Sequence, residues 1–80
     1  MRSKLKLKEK SEERIVYAYS CNESVEIIDG EIEYNFAEDD FYTLKLATND
    51  EGGYAEWLYP HIHRAIFREG CPVERYIATG

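Results

Sequence analysis

The residues best suited to hold a metal or activate a thiol are His61 and His63, with Cys21 and Cys71 far from them along the chain. These types suit zinc. Their spacing does not, because residues two apart on a helix project about 200° from each other, and helical ligand pairs sit at i,i+4. Only a non-helical stretch after Pro60 would bring both imidazoles to one ion, so no metal is assigned. A cysteine–histidine nucleophile would need a thiolate beside a base. Cys71 directly follows the segment read below as a helix, and the negative end of a helix dipole disfavours a thiolate. Glu38, Asp39 and Asp40 with Asn35 have the composition of calcium ligands but lack the alternating spacing that wraps carboxylates round one ion, and they read as a solvated acidic turn. There is no glycine-rich phosphate loop and no G-x-S-x-G elbow. The chain therefore reads as non-enzymatic and without a cofactor.

Two surfaces remain that could recognise a partner. Trp57, His61, Arg64 and Arg68 recur at spacings of four, three and four, which stacks them on one face of a helix. Tryptophan and arginine dominate interface hot spots, so this face is the first candidate for docking a protein; its plainer reading is an ordinary outer helix face with Trp57 partly covered by the loop before it. The second surface is acidic: Glu26, Glu31 and Glu33 on an open sheet face, with Glu38, Asp39 and Asp40 at one end. Carboxylates so spaced can imitate nucleic acid toward a DNA-binding protein, although a half-exposed sheet must in any case be polar outside.

The helix that carries the first surface is the stretch Gly53 to Gly70, GYAEWLYPHIHRAIFREG. At about 100° per residue, Ala55, Leu58, Tyr59, Ile62 and Ile66 form an apolar stripe, with Ala65 at its margin. Gly70 followed by Pro72 is a stop signal. Pro60 leaves two forms open: one kinked helix from about Tyr54, or a turn ending at Tyr59 and a helix from Pro60. The Trp57 to Arg68 face is complete only in the first. Asn49 or Asp50 is placed to cap the start.

Ahead of the helix the pattern is one of strands. Ile15 to Cys21 is rich in β-branched and aromatic residues and apolar on both faces, which suggests an interior strand. In VEIIDGEIEY, Asp29-Gly30 between alternating runs predicts a type I′ hairpin that pairs Ile28 with Glu31, Ile27 with Ile32 and Glu26 with Glu33. For Tyr42, Leu44 and Leu46 to share a face with Ile32 and Tyr34, paired residue numbers must then sum to an even value. A three- or five-residue loop satisfies this, and the five-residue one is preferred because it pairs Tyr34 with Leu44 and sets Lys45 opposite Glu33. VERYIATG closes the chain as a last strand. The expected fold is α+β, a four- to five-stranded mainly antiparallel sheet (β-β-β-β-α-β) with one helix packed on one face.

Length and charge bound the rest. Eighty residues make one domain, and a hydrophobic fraction of 44% with seven tyrosines argues for a folded chain. The net charge of −6 divides into +3 for residues 1–14, −9 for 15–52 and zero for 53–80. Residues 1–13, with only Leu5 and Leu7 to bury, read as a flexible basic arm ahead of a single α+β domain over 14–80. Nucleic acid is an unlikely partner except through residues 1–14. No apolar run approaches the roughly 18 residues of a membrane span, and the basic start lacks the apolar core of a secretory signal. The expectation is a soluble, cytoplasmic, acidic module that binds an unidentified protein or a second copy of itself, with a nucleic-acid-related role, through the acidic face or the basic arm, as the alternative.

Overall fold

A computed structural model describes residues 1–79. Its elements are β1 (Arg2–Lys10), β2 (Arg14–Tyr19), a 3₁₀ turn (Asn22–Ser24), β3 (Gly30–Asn35), β4 (Asp40–Lys45), α1 (Tyr54–Phe67) and β5 (Glu74–Ala78). The five strands form one antiparallel sheet in the order β4-β3-β2-β1-β5. The first four meander, and the chain then crosses one face as α1 so that β5 returns beside β1. The α+β sheet with a single helix is the expected class.

β1 departs from the expected flexible arm of residues 1–13. It pairs with β2 on one side and β5 on the other, with Leu5 opposite both Tyr19 and Arg75. Leu5 is 1% exposed and Leu7 packs against the core. Two leucines suffice because β5, remote in sequence, completes the burial and takes up the remaining backbone groups, which strand pairing must satisfy. Ser11 closes the β1–β2 turn, its hydroxyl accepting from the Glu13 and Arg14 N–H groups at 3.2 Å.

The Asp29-Gly30 hairpin does not form either. Gly30 opens β3, which pairs with β2, and it lies opposite Tyr19. A Cβ on Gly30 would fall 2.2 Å from a carbon of the Tyr19 ring, so glycine is needed for close approach and not for a turn. Asp29 instead accepts from the Thr48 N–H (2.8 Å) and hydroxyl (2.6 Å), which hold its carboxyl below the usual range. Both residues of the signal serve tertiary contacts.

The β3–β4 register is also different. Asn35 pairs with Asp40, Tyr34 with Phe41 and Ile32 with Thr43 across a four-residue loop; a bulge then sets Lys45 opposite Glu31. A shift of one residue exchanges the faces of a strand. Phe41 therefore joins the core, while Tyr42, Leu44 and Leu46 stay 41–52% exposed.

One face of the sheet presents Leu5, Ile15, Tyr17, Tyr19, Ile32 and Ile77 to Ala55, Leu58 and Ile62 of the helix. Ile66 is only partly buried and Ala65 is fully so, which rotates the predicted stripe slightly. Pro60 lies inside a continuous helix. Pro60 and Glu56 are both exposed, so the Glu56 carbonyl that loses its partner can face water. Asp50, 7% exposed, accepts from the Ala55 N–H (3.1 Å), the Gly52 N–H (2.8 Å) and the buried Tyr19 hydroxyl, joining the helix start to the middle of the sheet. Gly70 ends α1 with a φ of 76°, as its position predicts.

Candidate functional site on the outer helix flank

Because α1 is continuous from Tyr54, the predicted Trp57, His61, Arg64 and Arg68 lie in one row. The Trp57 and His61 rings are 4.9 Å apart, and Tyr54 adds a third ring 5.4 Å from Trp57. Trp57 is half-buried against the edge of the core and His61 is half-buried beside it, so this end of the row does not look fully outward. Burial lowers the affinity of His61 for a proton, and Arg64 and Arg75 lower it further. Both effects favour the neutral imidazole.

Arg64 and Arg68 are exposed, and among the described residues neither has a carboxylate within ion-pair distance. Arg14 and Arg75 are occupied by comparison, with Arg14 holding Glu9 (2.8 Å) and Glu33 (2.7 Å) and Arg75 holding Glu69 (2.8 Å). The row thus combines a half-buried aromatic pair with two guanidinium groups that no carboxylate engages among the described residues.

His63 sits on the opposite flank, 4.6 Å from the Phe67 ring, and the two histidines share no ligand geometry. This flank carries an aromatic cluster that sequence reasoning missed. Phe41 stacks on Tyr59 at 4.9 Å and 13°, while Tyr34, Phe36 and Phe67 meet edge to face at 5.2–6.3 Å. Phe67 is 51% and Phe36 37% exposed. The i,i+4 series Tyr59, His63, Phe67 was visible in the sequence, but its sheet partners depended on a register that the sequence reading shifted.

The predicted acidic surface divides in two. β1 brings lysines to the open sheet face, where Lys4 pairs with Glu26 and Lys8 with Glu31, each at 2.8 Å; Glu33 is held by Arg14 and is 9% exposed. Those three carboxylates are neutralised, Glu26 and Glu31 because β1 is a strand and Glu33 by Arg14 of β2. Glu38, Asp39 and Asp40, in and beside the β3–β4 loop, have no cation at ion-pair distance among the described residues; Glu38 accepts from the Tyr42 hydroxyl and Asp39 from that of Tyr34.

No family model, curated protein or solved structure matches this chain. The site must be read from its own chemistry. Cys21 and Cys71 are free and buried. A cleft of about 280 Å³ on the open face is bounded by Lys4, Lys6, Ile28, Glu74 and Tyr76, and one of about 240 Å³ by Met1, Cys21, Glu23 and Tyr54. Neither cleft brings a histidine to a cysteine. Among the described residues, no helix is long and apolar enough to cross a membrane.

Proposed function

We propose that this chain is a non-enzymatic protein-binding or regulatory module whose docking surface is the outer flank of α1. The observation that carries the reading is the pair Arg64 and Arg68, left without carboxylates among the described residues in a chain of net charge −6, beside the tilted Trp57–His61 ring pair. Like charges one helical turn apart repel, and an acidic partner relieves that repulsion. Trp57 offers a rigid apolar area beside them, with its own position fixed by Tyr54 and His61. The buried free thiols agree with a reducing compartment such as the cytoplasm.

The nucleic-acid-related alternative has less to draw on. Half of its six carboxylates are engaged by cations, and those cations, Lys4, Lys8 and Arg14, belong to the segment that would otherwise meet phosphate.

The test is affinity capture from host lysate with wild type and Arg64→Glu/Arg68→Glu as bait, thermal unfolding being followed in parallel. Both arginines are exposed, so the variant keeps its melting temperature and loses the captured protein. Equal capture by both baits would remove this flank from the interface. Trp57→Ala is the poorer probe, because Trp57 also contacts the core.

A further inference from the structure

We propose that the outer edge of β4 pairs antiparallel with β4 of a second copy, about a two-fold axis at Tyr42, so that the two sheets run on as one. β4 lies under the Tyr59–His63 flank of α1, opposite the Trp57–Arg68 row, so this interface and the docking flank are separate.

β4 is an edge strand, paired with β3 on one side only. The Phe36 N–H donates to the Glu13 carbonyl at 3.1 Å, on the β2 side. By the alternation of an antiparallel ladder, Asn35 and Glu33 then turn their backbone groups toward β4, where they face Asp40 and Tyr42. Phe41 and Thr43 therefore turn theirs outward, and the Phe41 N–H donates only to the carboxylate of Asp40, its neighbour in the chain, at 2.8 Å. Bare backbone groups at an edge recruit another strand unless proline, charge or a bulge defends them. The strand has no proline; it has one charge at each end and a bulge only at Leu44. Tyr42 and Leu44 beside it are 41% and 47% exposed on the open face.

Charge selects the occupant. Asp40 faces the open side with Tyr42, and the bulge turns Lys45 to the same side, opposite Glu31, whose carboxylate is held by Lys8 instead at 2.8 Å. Among the described residues neither Asp40 nor Lys45 has an opposite charge within ion-pair distance. A strand that begins acidic and ends basic is its own complement when run antiparallel, and a two-fold axis makes the match twice. A foreign strand would have to carry the same two charges at the same separation.

The register agrees with the backbone. With Tyr42 on the axis, Phe41 faces the other copy's Thr43 and Asp40 faces the Leu44–Lys45 pair at the bulge. Facing residues then share a face of the joined sheet. Phe41 and Thr43, whose N–H and C=O groups point outward, become the hydrogen-bonded pairs, while Asp40 exchanges the Phe41 N–H for the other copy's Lys45.

The experiment is sedimentation equilibrium on wild type, Asp40→Lys and Lys45→Asp, with hydrogen exchange on wild type. Wild type is expected to dimerise. Each variant alone should dimerise roughly 10-fold or more weakly, because two like-charge pairs replace two opposite ones. An equimolar mixture of the two, in which every facing pair is again opposite in sign, should recover the wild-type affinity as heterodimer. The wild-type amides of Phe41 and Thr43 should exchange more slowly as concentration rises through the dimerisation range, a readout that needs no substitution. Tyr42→Cys should yield a disulfide-linked dimer on oxidation, since directly opposed residues of a non-hydrogen-bonded pair lie about 4.5 Å apart at Cα. A wild type that stays monomeric at several hundred micromolar overturns the proposal. So does a dimer that both separate variants retain at full strength, a mixture no tighter than its components, exchange at Phe41 and Thr43 that ignores dimerisation, or a Tyr42→Cys chain that does not cross-link.

Discussion

Replacing Gly30 with alanine should destabilise this protein severely, although alanine in a strand ordinarily stabilises by about 0.4–1 kcal/mol relative to glycine. The new Cβ would lie 2.2 Å from one carbon of the Tyr19 ring and 2.6 Å from two others. Carbon contacts settle near about 3.5–4.0 Å, so the ring must retreat by roughly 1 Å or more. It has nowhere to go. Tyr19 is completely buried, its hydroxyl donates to Asp50 and accepts from the Ala47 N–H at 3.0 Å, and Asp50 in turn holds the first turn of α1. If the ring stays, overpacking costs about 1–3 kcal/mol; if it moves, a buried carboxylate and an amide lose a partner, at about 1–3 kcal/mol each. About 3 kcal/mol is the expected loss by either route. For a chain of this size that is a melting-temperature drop of about 12–24 °C. Urea unfolding followed by Trp57 fluorescence, on wild type, Gly30→Ala, Tyr19→Leu and the double variant, measures it. In the Tyr19→Leu background the alanine should cost nothing. A Gly30→Ala protein within about 0.5 kcal/mol of wild type would refute the ring-over-glycine argument.

Three further outcomes follow from the same packing. Deleting residues 1–10 removes β1 from between β2 and β5, and the truncated chain should show no cooperative melt by circular dichroism; a sigmoidal transition would mean that the sheet closes without it. The Asp29 carboxyl is held below its ordinary value of 3.8 by Thr48, so its contribution is full above that pH and is lost as pH falls through the lower folded value. The urea midpoint of wild type should therefore fall more steeply than that of Asp29→Asn between about pH 5 and about pH 2, and parallel profiles would contradict it. Burial pushes the Cys21 thiol up to about 11, so a thiol-reactive dye at about pH 8 should label it slowly in the native protein and rapidly in denaturant, and prompt native labelling would show that the site opens.

The helix was the most legible element, because Ala55, Leu58, Ile62 and Ala65 satisfy one periodicity whatever they pack against. Its stop at Gly70 depends on local backbone chemistry and was equally readable, whereas of the two candidate caps, Asn49 and Asp50, neither occupies the N-cap, which is Gly53, and Asp50 reaches the Ala55 N–H from outside it. β2 was legible too, since Tyr17 and Tyr19 on one face with Val16 and Ala18 on the other leave little choice but an interior position. The misreadings share one cause, in that a non-local contact overruled a local signal. Asp29-Gly30 has the strongest turn signature in the chain, yet Asp29 is taken by Thr48 and Gly30 by Tyr19. Lys4, Lys6 and Lys8 look like a solvated arm until β5 is seen beside them. In β4 the apolar alternation of Tyr42, Leu44 and Leu46 pointed to the core, but Phe41 reached the core first, stacking on Tyr59. Of the candidate site, the Trp57 to Arg68 row was visible from spacing alone. The Phe36–Phe67 pair on the other flank was not, because it needed the β3–β4 register.

The pairing of Arg2 with Ala78 has a kinetic consequence. β1 must wait for β5, which follows every other strand of the sheet, and the long excursion between them predicts slow closure. During that interval the β1 edge is bare and open to other nascent chains. Its alternating lysines, which repel a like neighbour until Glu74 and Ile77 arrive, are the kind of residue that protects such an edge.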